Sequence, residues 1–387
     1  MSKINDLLWY KNRIYFCGEM SDSSGDSRVF TGCLESNGLK WFKSIKRSRV
    51  CGLCTYGEDL AVCGDFFCFL HLDTGEPEWF AGVTTDLNNL CCCEDFIVAC
   101  GSRSFIKITP EEITELETTF SNEYYMDYFY YYYYSYYSIR RICFSEDGFF
   151  AAGKVRRIIS SKKTLSCCFI GFLLSDFWPL WLINISGKRN IEFSDCCCDE
   201  KKAYVCGSIY FAGRKEHYIY AVSVDKNCEL VWSRVYTICN RVIGVSCDDK
   251  YVYIMGDNHY SDDNFILTVS KDNGELIDVK VIEHSEVIFP ECIKVMSKGF
   301  LIGGSASLDP SKYDLLVLYL PKNFEGEIEI LSKRISVKTF DLGCLIWEPE
   351  VEENTWNIRE DKKLYKEKVQ VVNEKPRIWY RGSFPSL

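Results

Sequence analysis

Short apolar runs that end in glycine recur along the whole chain. Each run follows a polar turn and has the β-branched and aromatic composition of a strand, as in NRIYFCGEM, EDLAVCGDF and KKAYVCGSI. The spacings between these glycines are 46, 37, 52, 54, 49 and 48 residues. Such regular spacing indicates a repeat architecture. The repeat glycines are Gly18, Gly64, Gly101, Gly153, Gly207, Gly256 and Gly304.

The rest of each unit predicts four short strands, a to d. A first apolar strand precedes the glycine strand, and a variable loop, a third strand, a turn and a fourth strand follow it. The fourth strand often opens on tryptophan, as in KWFKSI and VWSRVY. No long stretch before the tail has helical periodicity. We predict an all-β protein: a seven-bladed β-propeller of four-stranded blades over 1–335, with a C-terminal extension over 336–387.

The fifth unit carries both repeat signals, Gly207 and Trp232. In this respect the chain resembles the β-propeller repeat families that have a glycine and a tryptophan in each blade, and more distantly the blades of quinoprotein dehydrogenases. Units three, six and seven lack the tryptophan. The resemblance therefore implies a propeller and no particular function, since propellers host many functions. We expect the glycine to close strand b, where its tolerance of unusual dihedral angles lets the chain leave the sheet.

Cysteines are unusually frequent, 22 in all, and many are in phase with the repeat. Three pairs lie nine residues apart across a predicted hairpin and are candidate disulfides. They are Cys54 with Cys63, Cys91 with Cys100, and Cys197 with Cys206. The alternative, which does not exclude the first, is packing of free thiols as small hydrophobic side chains. Cys51 and Cys54 form a CxxC without a second one, so we predict no metal site.

Composition narrows the class of protein. The chain has 387 residues, 47% of them apolar, and a net charge of −10, which favours a globular protein and argues against general binding of nucleic acid. We expect no signal peptide and no membrane span, and hence a cytoplasmic or virion location. The cysteine content and the single glutamine, Gln370, fit a protein of a hyperthermophilic archaeon or of its virus.

Catalytic motifs are missing from the sequence. The four histidines fall in different units, and the acidic residues lie mostly in turns, which they help to shape. We therefore predict no catalytic residues, no cofactor and no enzyme. A propeller enzyme of the glycosidase or quinoprotein type is the third-ranked alternative, and carboxylates that converge at the axis would favour it.

The long b–c loops and the d-to-a connections of a propeller emerge on one face, which we call the loop-rich face. A tyrosine run over 122–138 connects units three and four there, beside a basic b–c loop. Tyrosine and arginine are typical of binding hot spots. The predicted partner-binding residues are Tyr124, Tyr125, Tyr128, Tyr130, Tyr132, Tyr134, Tyr136, Arg140, Arg141, Arg156, Arg157, Lys162 and Lys163.

These features predict a non-enzymatic structural or interaction propeller, as a virion or attachment component of an archaeal virus. A cellular archaeal scaffold or cell-surface-associated propeller is the second alternative. For the tyrosine run, a protein partner or self-assembly ranks first, then a glycan or other anionic ligand, with nucleic acid disfavoured and no partner also open. The charged, aromatic tail predicts either an arm that docks elsewhere or a segment that folds back on the propeller.

Overall fold

A computed structural model describes most of the chain as β-strands. The described residues are 2–21, 26–83, 86–93, 95–109, 112–121, 135–160, 163–186, 191–211, 216–239, 241–258, 263–283, 288–309, 312–330, 333–339, 344–346, 350–363, 371–373 and 378–381. Within these ranges, no helix has the length and apolar character needed to cross a membrane.

The strands are named in chain order. The first twelve are β1 (Ser2–Tyr10), β2 (Arg13–Ser21), β3 (Ser27–Glu35), β4 (Gly38–Ile45), β5 (Val50–Tyr56), β6 (Asp59–Gly64), β7 (Phe66–His71), β8 (Pro77–Gly82), β9 (Leu87–Cys92), β10 (Ile97–Gly101), β11 (Ser104–Ile108) and β12 (Ile113–Ser121). The next twelve are β13 (Ser135–Ser145), β14 (Gly148–Ser160), β15 (Lys163–Leu174), β16 (Pro179–Ser186), β17 (Ile191–Cys198), β18 (Lys202–Phe211), β19 (Glu216–Asp225), β20 (Leu230–Cys239), β21 (Arg241–Cys247), β22 (Tyr251–Asn258), β23 (Asp263–Ser270) and β24 (Leu276–Glu283). The last nine are β25 (Ile288–Val295), β26 (Gly299–Asp309), β27 (Lys312–Pro321), β28 (Gly326–Ile330), β29 (Lys333–Thr339), β30 (Cys344–Ile346), β31 (Glu350–Lys363), β32 (Val371–Asn373) and β33 (Ile378–Arg381).

The strands form seven four-stranded blades, as predicted. Blades 1 to 6 each consist of four consecutive antiparallel strands, from β1–β4 to β21–β24. Blade 7 consists of β25, β26 and β27, with β33 in the fourth position and parallel to β27. The first strand of every blade contacts the first strand of the next, including β25 with β1. Strand a is therefore the innermost strand, and the seven-bladed β-propeller is confirmed.

Hydrophobic packing between blades closes the ring. Each of the seven interfaces between neighbouring blades contains its own cluster of buried apolar side chains. At the junction of the last and first blades, Ile4 and Leu7 pack with Cys292, Leu301 and Val317. Burial of apolar area is the main driving force for such packing. The strands of each blade alternate side chains between two faces, so each blade contributes to two clusters.

Every strand a carries a β-bulge at the same point. In blade 1 the register shifts between Ile4 and Asp6, so Asn5 has no partner on strand b. Shifts at the equivalent position occur in all seven blades. The unpaired residues, here called the bulge residues, are Asn5, Cys51, Asn88, Arg140, Ser194, Ile243 and Glu291. A bulge turns a side chain in a new direction, and here it does so once per blade.

The repeat glycine lies beside this bulge, and its role differs from the one expected. None of the seven glycines has a positive φ, and β2 continues past Gly18 to Ser21, so a turn does not explain them. A Cβ atom on Gly64 would lie 2.0 Å from the carbonyl oxygen of Arg49, and one on Gly207 would lie 1.9 Å from that of Glu192. Close approach of strand a therefore excludes every larger residue.

Tryptophan side chains join neighbouring blades at their outer strands. The indole nitrogen of Trp41 donates a hydrogen bond to the carbonyl of Leu72 at 3.0 Å, from blade 1 to blade 2. Trp181 donates to Lys226 at 2.8 Å, and Trp232 donates to Lys271 at 2.9 Å. Buried indoles find such acceptors because an unpaired N–H is costly. The tryptophan of the repeat thus has a structural role between blades.

The C-terminal strands follow the outer edges of the propeller. β29 pairs with β24 of blade 6, β30 with β20 of blade 5, and β31 with both β16 and β12 of blades 4 and 3. β32 then pairs with β4 of blade 1, and β33 completes blade 7. We call these five strands the belt. Of the two alternatives for the tail, the described strands favour folding back on the propeller. Their pairing covers outer strand edges, and exposed strand edges promote aggregation.

We expect Gly64→Ala to lower the free energy of unfolding by about 3 kcal/mol, because the new methyl group meets a backbone oxygen that cannot move away freely. Gly52→Ala in the paired strand is the matched control. Its Cβ would meet Leu90 at 3.4 Å, an ordinary contact, so we expect a change below about 1 kcal/mol. Urea unfolding of both variants measures the difference, and equal effects would contradict the close-approach explanation.

We expect a chain ending at residue 339 to melt at a lower temperature and to self-associate. It lacks β30 to β33, and so exposes the edges of β20, β16, β12, β4 and β27. A chain ending at residue 373 loses only β33 and is the control. Thermal melting and analytical ultracentrifugation provide the readouts. An unchanged melting temperature and a monomeric state for the shorter chain would show that the belt does not stabilise the propeller.

Candidate ligand site at the propeller axis

The seven bulge residues surround a cavity at the propeller axis. All of them line it, together with residues from the beginnings of the strands a. The cavity has a volume of about 500 Å³, within the usual range for small-molecule sites. It lies where strands a begin, which is the face of the d-to-a connections and the b–c loops. The bulges thus create a site on the loop-rich face.

Positive charge dominates the lining of this cavity. Six lining side chains are cationic, and two, Glu192 and Glu291, are anionic. The cationic residues are Lys3, Arg49, Arg140, Arg141, Lys154 and Arg241. Six minus two leaves an excess of four positive charges, in a chain whose net charge is −10. Concave sites lined by one sign of charge concentrate ions of the opposite sign.

Two arginines meet at the amide of Asn88. Arg49 Nη2 donates to Asn88 Oδ1 at 2.9 Å, and Arg140 Nη1 donates to the same oxygen at 3.4 Å. The amide nitrogen of Asn88 donates in turn to the carbonyl of Ile139 at 2.6 Å, which links blades 3 and 4. Asn88 is buried. The two guanidinium groups are therefore held next to each other by a neutral side chain.

The environment of Arg140 disfavours its positive charge. Burial lowers the pKa of Arg140, and the charge of Arg49 lowers it further. Arg140 Nε is buried and has no hydrogen-bond acceptor among the described residues. Buried donors usually have partners, so an unpaired one at a cavity is a candidate contact for a ligand. An anion in the cavity would supply both an acceptor and an opposite charge.

Hydrogen bonds and an ion pair of buried carboxylates link neighbouring strands a next to the cavity. Asp6 accepts from the backbone N–H of Leu53 at 3.1 Å, and Asp195 accepts from that of Val245 at 2.9 Å, each in the next blade. Arg141 forms an ion pair with Asp195, so only part of its charge is available to a ligand. Bonds of this kind fix neighbouring strands a to one another.

Asp6 also pairs with Lys294 at 3.3 Å, and its charge raises the pKa of that lysine. This contact crosses from blade 1 to blade 7. It therefore adds a charge pair at the junction where the ring closes.

The structure divides the sequence-predicted partner-binding residues between two places. Arg140 and Arg141 line the cavity. Tyr136 lies opposite Arg156, an exposed residue, in the pairing of β13 with β14. Arg157 and Lys163 belong to β14 and β15, on the same hairpin. The remaining predicted residues lie outside the described part of the chain: Tyr124, Tyr125, Tyr128, Tyr130, Tyr132, Tyr134 and Lys162.

One tyrosine of the run belongs to the core. Tyr137 is 5% exposed, accepts a hydrogen bond from Asn184 Nδ2 at 3.0 Å, and packs edge-on against Phe169. The expectation that the whole run serves a partner is therefore too broad at its C-terminal end. Alternation along β13 explains this, because neighbouring residues on a strand point to opposite faces.

Sequence reasoning missed most of the cavity, although a positional signal exists. The bulge residue precedes the repeat glycine by thirteen positions in every unit, as Asn88 precedes Gly101. The residue whose carbonyl oxygen makes the close contact precedes the glycine by fifteen positions, as Arg49 precedes Gly64. Counting back from the glycines would have assembled the ring of residues. The sequence does not show that strand a bulges toward the axis, and this bulge is what makes these residues line one cavity.

The structure has no disulfide bond at the three predicted hairpin pairs. Cys54, Cys63, Cys91, Cys100, Cys197 and Cys206 all have free thiols. Strand register is the reason, because Cys63 lies opposite Gly52 and Cys54 lies opposite Ala61. Two cysteines that are out of register by two residues are diagonal neighbours, too far apart for a disulfide. The same offset separates the other two pairs.

Thiols of the inner strands instead contact thiols of the next blade. Cys54 donates a hydrogen bond to Cys92, and this lowers the pKa of Cys92. Burial raises the pKa of Cys54 itself. Cys197 and Cys247 form a similar pair between blades 5 and 6. Among the described residues, no cluster of three or more His, Cys, Asp or Glu side chains could hold a metal ion.

Comparison with known proteins adds no functional assignment. No family model matches the chain, and no curated protein matches it. It is similar to the β-propeller domain of Cps50 (Swd1) from Myceliophteria thermophila, at 9% identity over 81% of this chain and 99% of that chain, with a TM-score of 0.49. BamB from Moraxella catarrhalis has 8% identity over 77% and 90%, with a TM-score of 0.40. The computationally designed Ika8 protein has 9% identity over 78% and 93%, with a TM-score of 0.44.

At these sequence identities and TM-scores, no activity or binding partner of those proteins is assigned to this chain. The resemblance to one repeat family, and the archaeal or viral source, stay predictions.

We expect iodoacetamide at about pH 8 to modify Cys92 of the native protein before Cys54 or Cys68. A lowered pKa means a larger thiolate fraction at that pH, and the thiolate is the reactive form. Cys54→Ala removes the hydrogen-bond donor and should slow the modification of Cys92. Peptide mass spectrometry over time measures the rates. Equal rates at all three cysteines, or no effect of Cys54→Ala, would contradict the interaction between blades.

Proposed function

We propose that the protein is a non-enzymatic interaction propeller whose loop-rich face binds an acidic partner protein. The observation that carries this proposal is the cluster of cationic side chains at the centre of the loop-rich face. An acidic chain concentrates four excess positive charges in a cavity at the centre of one face. The basic hairpin, formed by β14 and β15 with Lys154, Arg156, Arg157 and Lys163, extends toward the same face. Complementary charge guides encounter and selects partners, and tyrosine and arginine contribute strongly to interfaces.

The basic hairpin of blade 4 extends this surface outward. β14 and β15 have 13 and 12 residues, whereas β6 and β7 of blade 2 have 6 each. The extra length lies beyond Gly153 on the side of the loop-rich face. Ser135, the first described residue after 122–134, pairs with Arg157 at the outer part of this hairpin. Residues 122–134 lie outside the described part of the chain, and we propose that their tyrosines bind the partner together with the cations of the hairpin.

The arrangement of carboxylates supports the non-enzymatic part of the proposal. Glu192 pairs with Lys154 at 2.9 Å, and Glu291 lies 3.9 Å from Lys3. Each lining carboxylate is thus engaged by its own lysine, whereas a glycosidase needs two carboxyl groups facing one bond. Attachment to a glycan, a place in a virion and a role as a cellular scaffold stay predictions from the sequence.

We expect the wild-type chain to bind poly-L-glutamate, used as a mimic of an acidic protein segment, in fluorescence anisotropy. Replacement of residues 124–134 by a short Gly/Ser linker should weaken this binding, and so should Arg156→Glu, by up to about tenfold. The replacement stops before Tyr137 because that residue is buried. Thermal melting should change little, since shortening a surface connection costs little free energy.

The control for charge is Lys298→Glu in the turn between β25 and β26, on the face opposite the loop-rich face. Its side chain is exposed. Equal weakening by Lys298→Glu and Arg156→Glu would show general attraction of a polyanion and contradict a specific face. Absence of binding by the wild-type chain, or full binding by the linker variant, would also contradict the proposal.

A further inference from the structure

The cations of the axial cavity differ in how much of their charge is already balanced. Lys154 and Lys3 pair with lining glutamates, Arg141 pairs with Asp195, and Arg49 is 3.2 Å from Asp86. Arg140 and Arg241, by contrast, have no carboxylate partner among the described residues. Their positive charges are unbalanced, and both residues line the same cavity. Repulsion between such groups is reduced when an anion binds between them.

The donors at this position have a fixed geometry. Asn88 holds Arg49 and Arg140 through one oxygen, and is itself anchored to the carbonyl of Ile139. Each guanidinium has five N–H donors, so several remain available after Arg140 bonds to Asn88 and Arg49 bonds to Asn88 and Asp86. A pair of preorganised planar forks matches the oxygen atoms of phosphate better than flexible lysines do. Less conformational entropy is lost on binding when the donors are already in place.

Size and charge together define the class of ligand. A cavity of about 500 Å³ is far larger than a single phosphate ion needs, since a water molecule occupies about 30 Å³ in the liquid. A phosphate monoester carries a charge of about −1.5 to −2 at neutral pH. Four of the six lining cations are paired with carboxylates, so the two positive charges that remain match the charge of one phosphate group.

We propose that the axial cavity binds a small molecule that carries at least one phosphate group, with Arg49, Arg140 and Arg241 as its ligands. This inference goes beyond the proposed function, because its ligand is a small molecule and not a protein. It also uses a different part of the face, the axis instead of the tyrosine run and the basic hairpin. The two proposals can therefore fail separately.

Isothermal titration calorimetry of the full chain with pyrophosphate tests the inference. We expect saturable binding of one pyrophosphate per chain and a higher melting temperature in its presence. Inorganic phosphate should bind at least about tenfold more weakly, because it engages fewer charged donors. Citrate serves as a carboxylate polyanion. No saturable binding of pyrophosphate, or citrate binding as tight as pyrophosphate, would overturn the proposal.

Three substitutions locate the site. Arg140→Gln and Arg241→Gln should each weaken pyrophosphate binding by about tenfold or more, since each removes charged donors. Asn88→Ala keeps the net charge and should still weaken binding, because it releases the two arginines that Asn88 positions. Arg334→Gln removes the same charge from an outer strand and should have no effect. Equal losses with Arg334→Gln, or none with Arg140→Gln and Arg241→Gln, would overturn the proposal.

Replacement of residues 124–134 separates this site from the proposed protein-binding surface. We expect the linker variant to retain pyrophosphate binding, because the described lining of the cavity includes no residue of that segment. Thermal melting of every variant checks that it is folded. Arg241 is exposed, so Arg241→Gln should fold normally even if Arg140→Gln is destabilised. Loss of pyrophosphate binding in the linker variant would place the anion site elsewhere and overturn the assignment to the axis.

Discussion

The close approach of strand b to a bulged strand a is the constraint on which the rest of the molecule depends. At Gly64 and Gly207 a single methyl group would meet a backbone oxygen at about half the normal contact distance. The glycine therefore permits the bulge, and the bulge turns one side chain per blade toward the axis. Sevenfold repetition of this local arrangement produces a ring of residues. The cavity is the consequence of backbone geometry that the core requires for its own packing.

The inner and outer parts of the propeller are held by different interactions. Near the axis, the buried carboxylates of Asp6 and Asp195 and the half-buried amide of Asn89 accept N–H groups from the next blade. Farther out, indoles donate to backbone carbonyls of the next blade, and the belt pairs with outer edges. Polar bonds at the centre tolerate a water-accessible cavity, whereas apolar packing there would leave no room for a ligand. This division allows a rigid ring with a charged centre.

The free thiols also differ from place to place in the propeller. Most cysteines of strands a are partly buried, and several of their thiols contact thiols of the next blade, as Cys54 contacts Cys92 and Cys197 contacts Cys247. Small side chains are favoured where seven strands converge, and sulfur packs well in such places. The hydrogen bond from Cys54 makes Cys92 the more acidic partner. Cysteine is therefore used for packing in most positions and acquires distinct chemistry only where two blades bring thiols together.

The sequence by itself determined the architecture, because four-strand units that recur along the chain bury their apolar faces by stacking on neighbouring units. The repeat glycines marked equivalent points in all seven units, yet their physical role, the disulfide register and the core position of Tyr137 came from the structure. The reason is that a one-residue bulge changes which residues lie opposite each other, and the repeat glycines mark its position without showing its geometry. Which distant charges converge is likewise a property of ring closure. Arg49, Arg140 and Arg241 are far apart in sequence, and only the circular arrangement of the blades brings them to one cavity.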